Sequence, residues 1–316
     1  MSSQQSVAQY VESGQQPFFR CRNVNLREGG VDADVVVFGV PYDGGCTYRP
    51  GARFGPYHVR RTSARVEGFH PGHRVDVFDA LRVVDGGNAM TPPFNPGAMR
   101  EVVQQFTAAV IASGASPFVV GGDHSITLPI LRALVAARGP LALVHVDAHS
   151  DTSDGKMWRE EYHHGTPIRH AIDEGLVAPG KVFQVGLRGP GLGPDDHVVV
   201  DAVGARRFSA DSLGDLGPSR IAHQIRTAIG EHPTYVSFDI DAVDPAYAPG
   251  TGTPVPGGLT SREALALLRG LAGIDVAGMD LVEVCPDADV SDATSTLASH
   301  LLWEGLALKA CHVAAD

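Results

Sequence analysis

Short runs of apolar, largely β-branched residues alternate along the chain with segments of helical periodicity. The apolar runs predict strands at residues 35–38, 117–122, 141–146, 182–186, 234–238 and 275–284. The other segments predict helices near residues 56–65, 98–112, 126–137, 219–229, 261–271 and 294–308. For the helix that starts at 261, we expect Ser261 to be the N-cap and Glu263 to lie in the first turn.

This alternation predicts a single α/β domain with three layers, in which helices cover both faces of a mostly parallel central sheet. The predicted strands lack polar residues at every second position, which is typical of strands that are buried on both faces. The chain of 316 residues has neither an internal repeat nor a linker that would divide it. Residues 1–30 are polar and are expected to form an N-terminal arm, followed by a catalytic domain at 31–316.

Composition and charge exclude several classes of protein. Hydrophobic residues make up 43% of the chain, which argues against general disorder. The formal net charge is −11 and no segment is dense in Lys or Arg, so nucleic acid is not an expected partner. An acidic protein suits a cationic substrate or a bound metal, although the bulk charge alone decides neither.

The cysteines and the apolar stretches exclude further kinds of site and of protein. Cys21, Cys46, Cys285 and Cys311 are far apart, which argues against a disulfide framework, a thiolate zinc site and an iron–sulfur cluster. The N-terminal residues lack the basic start and apolar core of a secretory signal, and polar residues interrupt the stretch 106–122. We therefore expect a cytoplasmic protein without a membrane span.

Acidic and imidazole side chains follow three of the predicted strands. Residues 141–146 lead into Asp147, His149 and Asp151, whose i, i+2, i+4 spacing directs all three side chains to one side of an extended backbone. Residues 234–238 lead into Asp239 and Asp241 with the same spacing, and 117–122 lead into Asp123 and His124. Ligands of parallel sheets bind at the carboxyl ends of the strands, where all these residues are expected to lie.

Taken one at a time, such residues are usually structural. A lone Asp after a strand is most often a cap or turn residue, which is our interpretation of Asp244, and a lone His is most often a hydrogen-bonded polar side chain. We interpret the following histidines in that way: His58, His70, His73, His145, His197, His223, His232, His300 and His312. The clustered carboxylates differ because they repel one another and no Lys or Arg is interleaved with them, so a metal cluster is the more economical explanation.

Charge counting indicates two divalent ions. The carboxylates of Asp147, Asp151, Asp239 and Asp241 supply a charge of −4, and His124 and His149 are neutral ligands. Two divalent ions balance that charge. Mixed carboxylate and imidazole ligands without thiolate suit Mn²⁺, although Zn²⁺, Co²⁺, Ni²⁺ or Fe²⁺ could occupy the same groups. Two such ions that share one water could supply hydroxide at neutral pH.

Three motifs resemble the signatures of the ureohydrolases, the superfamily of arginase, agmatinase, guanidinobutyrase, guanidinopropionase and proclavaminate amidinohydrolase. They are GGDHS at 121–125, VDAHSD at 146–151 and SFDIDAVDPAYAPGTGTPVPGGLT at 237–260, and the resemblance extends from about residue 35 to 308. The segments 41–56 and 162–175 resemble the agmatinase and guanidino-acid branch more than arginase itself.

The resemblance implies a specific assignment of residues. One Mn²⁺ would be held by His124, Asp147, Asp151 and Asp239, and the other by His149, Asp147, Asp239 and Asp241, so that Asp147 and Asp239 bridge the pair. Glu283 matches the glutamate that binds guanidinium. His164 matches a histidine that shuttles protons or holds substrate, with its neighbour His163 expected to be structural. Asp151 is expected to pass the proton of the attacking water to the departing amine.

The resemblance also implies a homo-oligomer, a trimer or a hexamer, with the N-terminal arm near the pocket of a neighbouring subunit.

The expected reaction is hydrolysis of a guanidino compound to urea and a primary amine. Agmatine, giving putrescine, is the first expectation, and a guanidino acid such as guanidinobutyrate, guanidinopropionate or a proclavaminate-type compound is the alternative. Residues of both signs occur in the loops near the predicted site, so the sequence does not separate these substrates. Two other classes stay open, namely a dinuclear hydrolase of phosphate esters or amides and a non-catalytic relative.

Overall fold

A computed structural model of the chain describes residues 4, 16–26, 29, 31–191 and 197–314. The strands in this part of the chain are β1 (Arg22–Asn23), β2 (Val35–Val40), β3 (Phe69–His70), β4 (Val75–Asp76), β5 (Val83–Asn88), β6 (Ser116–Gly121), β7 (Leu141–Val146), β8 (Val177–Leu187), β9 (Arg206–Ser209), β10 (Thr234–Asp239) and β11 (Val276–Val282). The α-helices are α1 (Gly55–Ser63), α2 (Val77–Ala80), α3 (Pro96–Ala112), α4 (Thr127–Arg138), α5 (Pro167–Asp173), α6 (Val198–Ala202), α7 (Ala210–Leu216), α8 (Pro218–Ile229), α9 (Ser261–Gly270) and α10 (Ala293–Val313).

Nine of these strands form one sheet, in the order β1-β5-β2-β6-β11-β10-β7-β8-β9. Each pair of neighbours in this sheet is parallel, whereas β3 and β4 form a small antiparallel pair of their own. Because parallel strands end at the same edge, the carboxyl ends of β6, β11, β10 and β7 lie side by side. The loops that follow these four strands therefore lie side by side at one edge.

Both faces of the sheet are buried, which explains why the strand sequences show no polar alternation. Val35 and Val37 of β2 belong to one hydrophobic core, together with residues of α1, α8, α9 and α10. Val36 and Phe38 belong to a second core on the opposite face, together with residues of α3, α4 and α5. The predicted three-layer α/β architecture with a mostly parallel sheet is confirmed.

The structure corrects the expected cap of α9. The hydroxyl of Thr260 accepts a hydrogen bond from the backbone N–H of Glu263 (3.2 Å), and the Glu263 carboxylate accepts one from the backbone N–H of Thr260 (2.9 Å). Thr260 is therefore the N-cap, in a reciprocal capping box, and Ser261 is the first helical residue. Both residues are good caps, and the extended backbone of Thr260 decides between them.

Part of the segment 1–30 packs on the domain. Phe18 and Phe19 are fully buried in the core that faces α1, and the backbone N–H of Phe18 donates to Asp85 Oδ2 at 2.8 Å. Strand β1 extends the sheet beside β5. The packed domain thus includes residues before 31, and much of the expected arm lies outside the described residues. Within the described part of the chain, no helix combines the length and the apolar composition that crossing a bilayer requires.

Candidate metal centre

Six side chains that the sequence singled out converge at the edge where β6, β10 and β7 end. We refer to His124, Asp147, His149, Asp151, Asp239 and Asp241 as the His/Asp cluster. His124 begins a short 3₁₀ turn after β6, and Asp241 lies in a similar turn after β10. The first of these loops depends on glycine, since a Cβ on Gly122 would lie 1.7 Å from the carbonyl oxygen of Tyr42.

His124 points its ring nitrogen at three carboxylates. Its Nδ1 lies 3.1 Å from Asp147 Oδ2, 3.0 Å from Asp151 Oδ2 and 3.2 Å from Asp239 Oδ2. Nδ1 is buried, yet none of these contacts has the geometry of a hydrogen bond. Adjacent ligands about 2.1–2.2 Å from one octahedral ion are about 3 Å apart, so this arrangement fits a single divalent cation at its centre.

His149 marks a second group of ligand atoms beside the first. Its Nδ1 lies 3.0 Å from Asp241 Oδ2 and 3.4 Å from Asp147 Oδ1. The two oxygens of Asp147 thus face different imidazoles, as a bridging ligand would. Asp239 directs Oδ2 to His124, while its Oδ1 accepts the backbone N–H of Asp241 at 2.8 Å.

The pKa values of two carboxylates of the cluster are shifted in opposite directions by their neighbours. Burial and the neighbouring charges of Asp241 and Asp147 hold the pKa of Asp239 well above its ordinary value. Burial also disfavours ionised Asp147, but His145, which lies within hydrogen-bond distance, and the other nearby histidines outweigh it and hold the pKa of Asp147 well below its usual range. The carboxylate of Asp147 thus stays charged, whereas the carboxylate of Asp239 needs a nearby cation in order to ionise.

The histidines of the cluster attract protons for the same reason. Burial disfavours the imidazolium, but Asp241 and Asp147 raise the pKa of His149 to about 12. Burial likewise opposes charge on His124, and its three carboxylate neighbours raise its pKa well above the ordinary value. Among the described residues, no Lys or Arg side chain forms an ion pair with these carboxylates. Protons on the two histidines therefore compensate the charge that metal ions would neutralise.

Residues outside the cluster hold it in place. His145, predicted to be structural, is fully buried, and its Nε2 lies 2.9 Å from Asp147 Oδ2. Ser237 Oγ lies 2.8 Å from His124 Nε2 and donates to Asp280 Oδ1 at 2.7 Å. Asp280 and Ser237 were missed in the sequence because their partners become visible only when β11 and β10 are known to be neighbours.

A second group of residues forms a pocket next to the cluster, at the end of β11. Glu283 is buried, and its Oε1 accepts the backbone N–H of His124 at 2.9 Å and lies 3.0 Å from His164 Nδ1. Its other oxygen, Oε2, is buried without a hydrogen-bond partner. Thr47 Oγ1 lies 2.7 Å from the opposite ring nitrogen of His164. We refer to Glu283, His164, Thr47 and the adjacent Cys46 as the Glu283 pocket.

Backbone strain occurs at both groups of residues. Asp151 has a φ of 52° and Glu283 a φ of 64°, values that non-glycine residues rarely adopt. Such strain costs about 1–3 kcal/mol per residue and persists where the surrounding structure over-determines it, which is common at functional sites. Both carboxylates are therefore held in their positions at the expense of local stability.

A cavity of about 760 Å³ connects the cluster with solvent. Cluster residues His149, Asp151 and Asp239 line it together with Thr47 and His164. Its wall also includes His197 and an ion pair between Arg207 and Asp201 (3.0 Å). His197 was interpreted as structural, but the structure places it in this wall.

Other residues take the structural roles that the sequence predicted. Asp244 accepts the backbone N–H groups of Ala246, Gly257 and Gly258 at 2.6–3.1 Å and so holds a turn. His163 Nδ1 accepts the backbone N–H of Gly165 at 3.0 Å, and His163 also lines the cavity. Cys46, which the sequence did not single out for a site, lies beside His164 and Glu283.

A profile of the arginase family matches residues 33–307. The chain belongs to the arginase family. Members of the arginase family bind a binuclear metal site, and the structure places a cluster of His and Asp side chains at the carboxyl edge of the sheet.

Three arginase-family relatives are similar over most of their length. Proclavaminate amidinohydrolase of Streptomyces clavuligerus is 46% identical over 268 residues, 85% of either chain. Its solved structure matches with a TM-score of 0.89 at 42% identity, covering 94% of this chain and 98% of that one. Guanidinopropionase of Pseudomonas aeruginosa is 45% identical over 276 residues, 87% of this chain and 86% of its own. Mitochondrial agmatinase of Gallus gallus is 43% identical over 278 residues, 88% and 81% respectively.

Proposed function

We propose that this protein hydrolyses the guanidinium group of a small molecule to urea and a primary amine, with the help of two divalent cations. The main support is the contact between the two groups of residues. The carboxylate of Glu283 is a natural acceptor for guanidinium. Its Oε2 has no hydrogen-bond partner among the described residues, and its Oε1 accepts a hydrogen bond from the backbone of His124, whose imidazole belongs to the His/Asp cluster. A cation bound to Glu283 would therefore lie next to the metal centre.

The residues of the cluster fit two metal ions. In the proposal, His124, Asp147, Asp151 and Asp239 hold one ion, and His149, Asp147, Asp239 and Asp241 hold the other. Mn²⁺ is the proposed metal because carboxylate and imidazole ligands without thiolate suit it. A bound pair would supply water whose pKa is lowered from about 15.7 towards about 7.

The protein side chains position the substrate and move the proton. Glu283 binds the guanidinium through Oε2, which has no other partner in the described structure. Asp151 Oδ2 faces the cluster and takes the proton of the attacking water, then passes it to the departing amine. His164, whose side chain is 12% exposed, connects this site with solvent and exchanges protons with it.

We propose agmatine as the first substrate and a guanidino acid as the second. The net charge of −11 attracts the doubly charged agmatine more strongly than a zwitterionic guanidino acid. For the guanidino acid, the supporting observations are His197 and the Arg207–Asp201 ion pair in the cavity wall, whose arginine could bind a substrate carboxylate in exchange for Asp201, and the names of two of the three relatives. The distal ammonium of agmatine favours an acidic cavity wall, whereas the distal carboxylate of a guanidino acid favours a basic one. An assay with both kinds of substrate therefore distinguishes the two proposals.

The test is urea release from agmatine, guanidinobutyrate and guanidinopropionate by the Mn²⁺-loaded protein, with Glu283→Gln as the control variant. We expect urea from at least one compound and a loss of at least about a hundredfold in kcat/KM for the variant, because a charge-assisted hydrogen bond disappears. Hydrolysis of phosphate esters or amides in place of every guanidino compound would contradict the proposal.

We also propose a homo-oligomer, a trimer or a hexamer. Large apolar side chains on the surface of the described chain support it, among them Phe94 and Met90, which are 92% and 75% exposed. Light scattering on the purified protein measures the subunit number, and a monomeric mass would contradict the proposal. A cytoplasmic location stays a prediction.

A further inference from the structure

Cys46 places a thiol in the pocket that is proposed to bind guanidinium. One ligand atom of Cys46, one of His164 and one of Glu283 lie within 4.8 Å of one another. The loop of Cys46 is fixed on both sides of the thiol, since Asp123 Oδ2 accepts the backbone N–H of Gly45 and Asp43 Oδ2 accepts that of Gly51, both at 2.7 Å. The backbone that carries the thiol is therefore held in place.

These three side chains match the ligand set of a zinc-like ion. Zinc binds sulfur at about 2.3 Å and nitrogen or oxygen at about 2.0–2.2 Å, so its tetrahedral ligands are separated by less than about 4 Å. Small side-chain movements would bring the three atoms into that range. Glu283 adds an independent indication, because its Oε2 is buried and has no hydrogen-bond partner among the described residues.

The charges also balance. A thiolate from Cys46 and the carboxylate of Glu283 supply −2, which one divalent ion neutralises, and His164 would bind as a neutral imidazole. The proton of the thiol and that of the imidazole nitrogen would pass to the solvent when the ion binds. In the absence of an ion, burial and the nearby Glu283 carboxylate hold the pKa of the Cys46 thiol above its ordinary value, so the thiol stays protonated.

The thiol makes this site chemically different from the His/Asp cluster. Thiolate ligands select softer ions such as Zn²⁺ and Cd²⁺, whereas the oxygen-rich cluster suits Mn²⁺. An ion held by Glu283 would also occupy the carboxylate that is proposed to bind the substrate. Substrate and the softer ion would then exclude each other.

We propose that Cys46, His164 and Glu283 form a third metal site, selective for Zn²⁺ or Cd²⁺, whose occupation inhibits the enzyme by blocking the guanidinium-binding carboxylate. The site itself depends only on these side chains, whereas the inhibition rests on the proposed function. The two parts are therefore tested by separate measurements.

The first measurement is a titration of the Mn²⁺-loaded protein with Cd²⁺, followed by ultraviolet absorption of the thiolate–cadmium bond. We expect one equivalent per chain in the wild type and no band in Cys46→Ser. Cys311→Ser is the matched control, since Cys311 is also a partly exposed thiol but lies on α10, outside the Glu283 pocket. Circular dichroism and Mn²⁺ content verify that each variant is folded and loaded.

A second variant, His164→Gln, keeps the thiol and is expected to weaken Cd²⁺ binding at least tenfold. Absence of the band in the wild type would overturn the proposal. So would a band that persists in Cys46→Ser, or one that is lost in Cys311→Ser.

The second measurement is inhibition of urea release by Zn²⁺, with the inhibited and uninhibited rates compared within each variant. We expect inhibition that is competitive with the substrate and that requires at least tenfold more Zn²⁺ in Cys46→Ser than in the wild type or Cys311→Ser. Equal inhibition of all three proteins would place Zn²⁺ in the His/Asp cluster and overturn the inference. If no protein releases urea, the proposed function fails, and the cadmium band still decides whether the site exists.

Discussion

His164 and Glu283, 119 positions apart in the chain, are joined by a contact of 3.0 Å between Nδ1 and Oε1. Burial disfavours a charged imidazole here, but the Glu283 carboxylate outweighs it and raises the pKa of His164 to about 9. The imidazolium that exists below this pH neutralises the same carboxylate that is proposed to bind the substrate cation. Proton and substrate therefore compete for Glu283.

This competition predicts the pH dependence of the reaction. As the pH rises towards about 9, His164 loses its proton and Glu283 becomes free to bind guanidinium, so kcat/KM should rise up to about tenfold per pH unit and then level off. The measurement is kcat/KM for agmatine or the preferred guanidino acid between pH 6 and pH 10. His164→Gln should remove this rise, and an unchanged profile in that variant would assign the ionisation to another group.

The two aspartates that are proposed to bridge the metals provide the second prediction. Asp147→Asn or Asp239→Asn should reduce the metal content to less than two ions per chain and lower kcat/KM at least about a thousandfold, because each removes a shared ligand. Elemental analysis and urea release measure the two effects. For Asp239→Asn the metal-free protein should not lose stability, since burial and the charges of Asp241 and Asp147 already disfavour this carboxylate.

Asp244 is the matched control for that experiment. It lies in the same motif, but its carboxylate accepts three backbone N–H groups and holds a turn. Asp244→Ala should lower the free energy of unfolding by about 1–3 kcal/mol and leave both metal ions in place. Full metal content and near-normal turnover in Asp147→Asn or Asp239→Asn would refute the assignment of the cluster.

The architecture was predictable from the sequence because both faces of the central strands are buried. Runs such as that of β7 contain no polar position facing solvent, and this alone indicates a parallel sheet between helices. Strands β5 and β9 were missed because neither has a continuous apolar sequence. Gly86 and Gly87 interrupt the apolar run of β5, and β9, at the edge of the sheet, begins with Arg206 and Arg207.

The cluster was predictable to the extent that its residues follow strands directly. The i, i+2 spacing of Asp239 and Asp241 is local information, whereas the contact of Glu283 with His124 depends on the adjacency of β6 and β11. Strand order is set by packing across the whole sheet, and no local pattern encodes it. The sequence therefore gives no local sign of Cys46 or Asp280 as site residues, and Glu283 was identified only through its family resemblance.

The capping box of α9 provides a test of local stability that is independent of the site. Thr260→Ala removes the hydroxyl that caps the helix and should lower the free energy of unfolding by about 1 kcal/mol. Ser261→Ala should change it by less than about 0.5 kcal/mol, because Ser261 is the first helical residue and not the cap. Urea unfolding of both variants checks this, and the reverse order of effects would restore Ser261 as the cap.

The chain of contacts from Asp280 through Ser237 to His124 predicts a loss of metal affinity without any change of ligand. Ser237→Ala should weaken binding of the ion at His124 by about 10–100-fold, because groups that orient a ligand typically contribute that much. Competition with a chelator of known affinity measures the effect.

Thr127→Ala is the control for these contacts. The Thr127 hydroxyl donates to Asp280 Oδ2 at 2.6 Å, whereas the bond of Thr127 to His124 runs from its backbone N–H to the His124 carbonyl oxygen and is retained in the variant. It should cost about 1 kcal/mol of folding stability and leave metal affinity unchanged. Equal weakening in both variants would mean that Asp280 acts on the fold as a whole. An unchanged affinity in Ser237→Ala would mean that the three carboxylates around His124 Nδ1 orient the imidazole without help from Ser237.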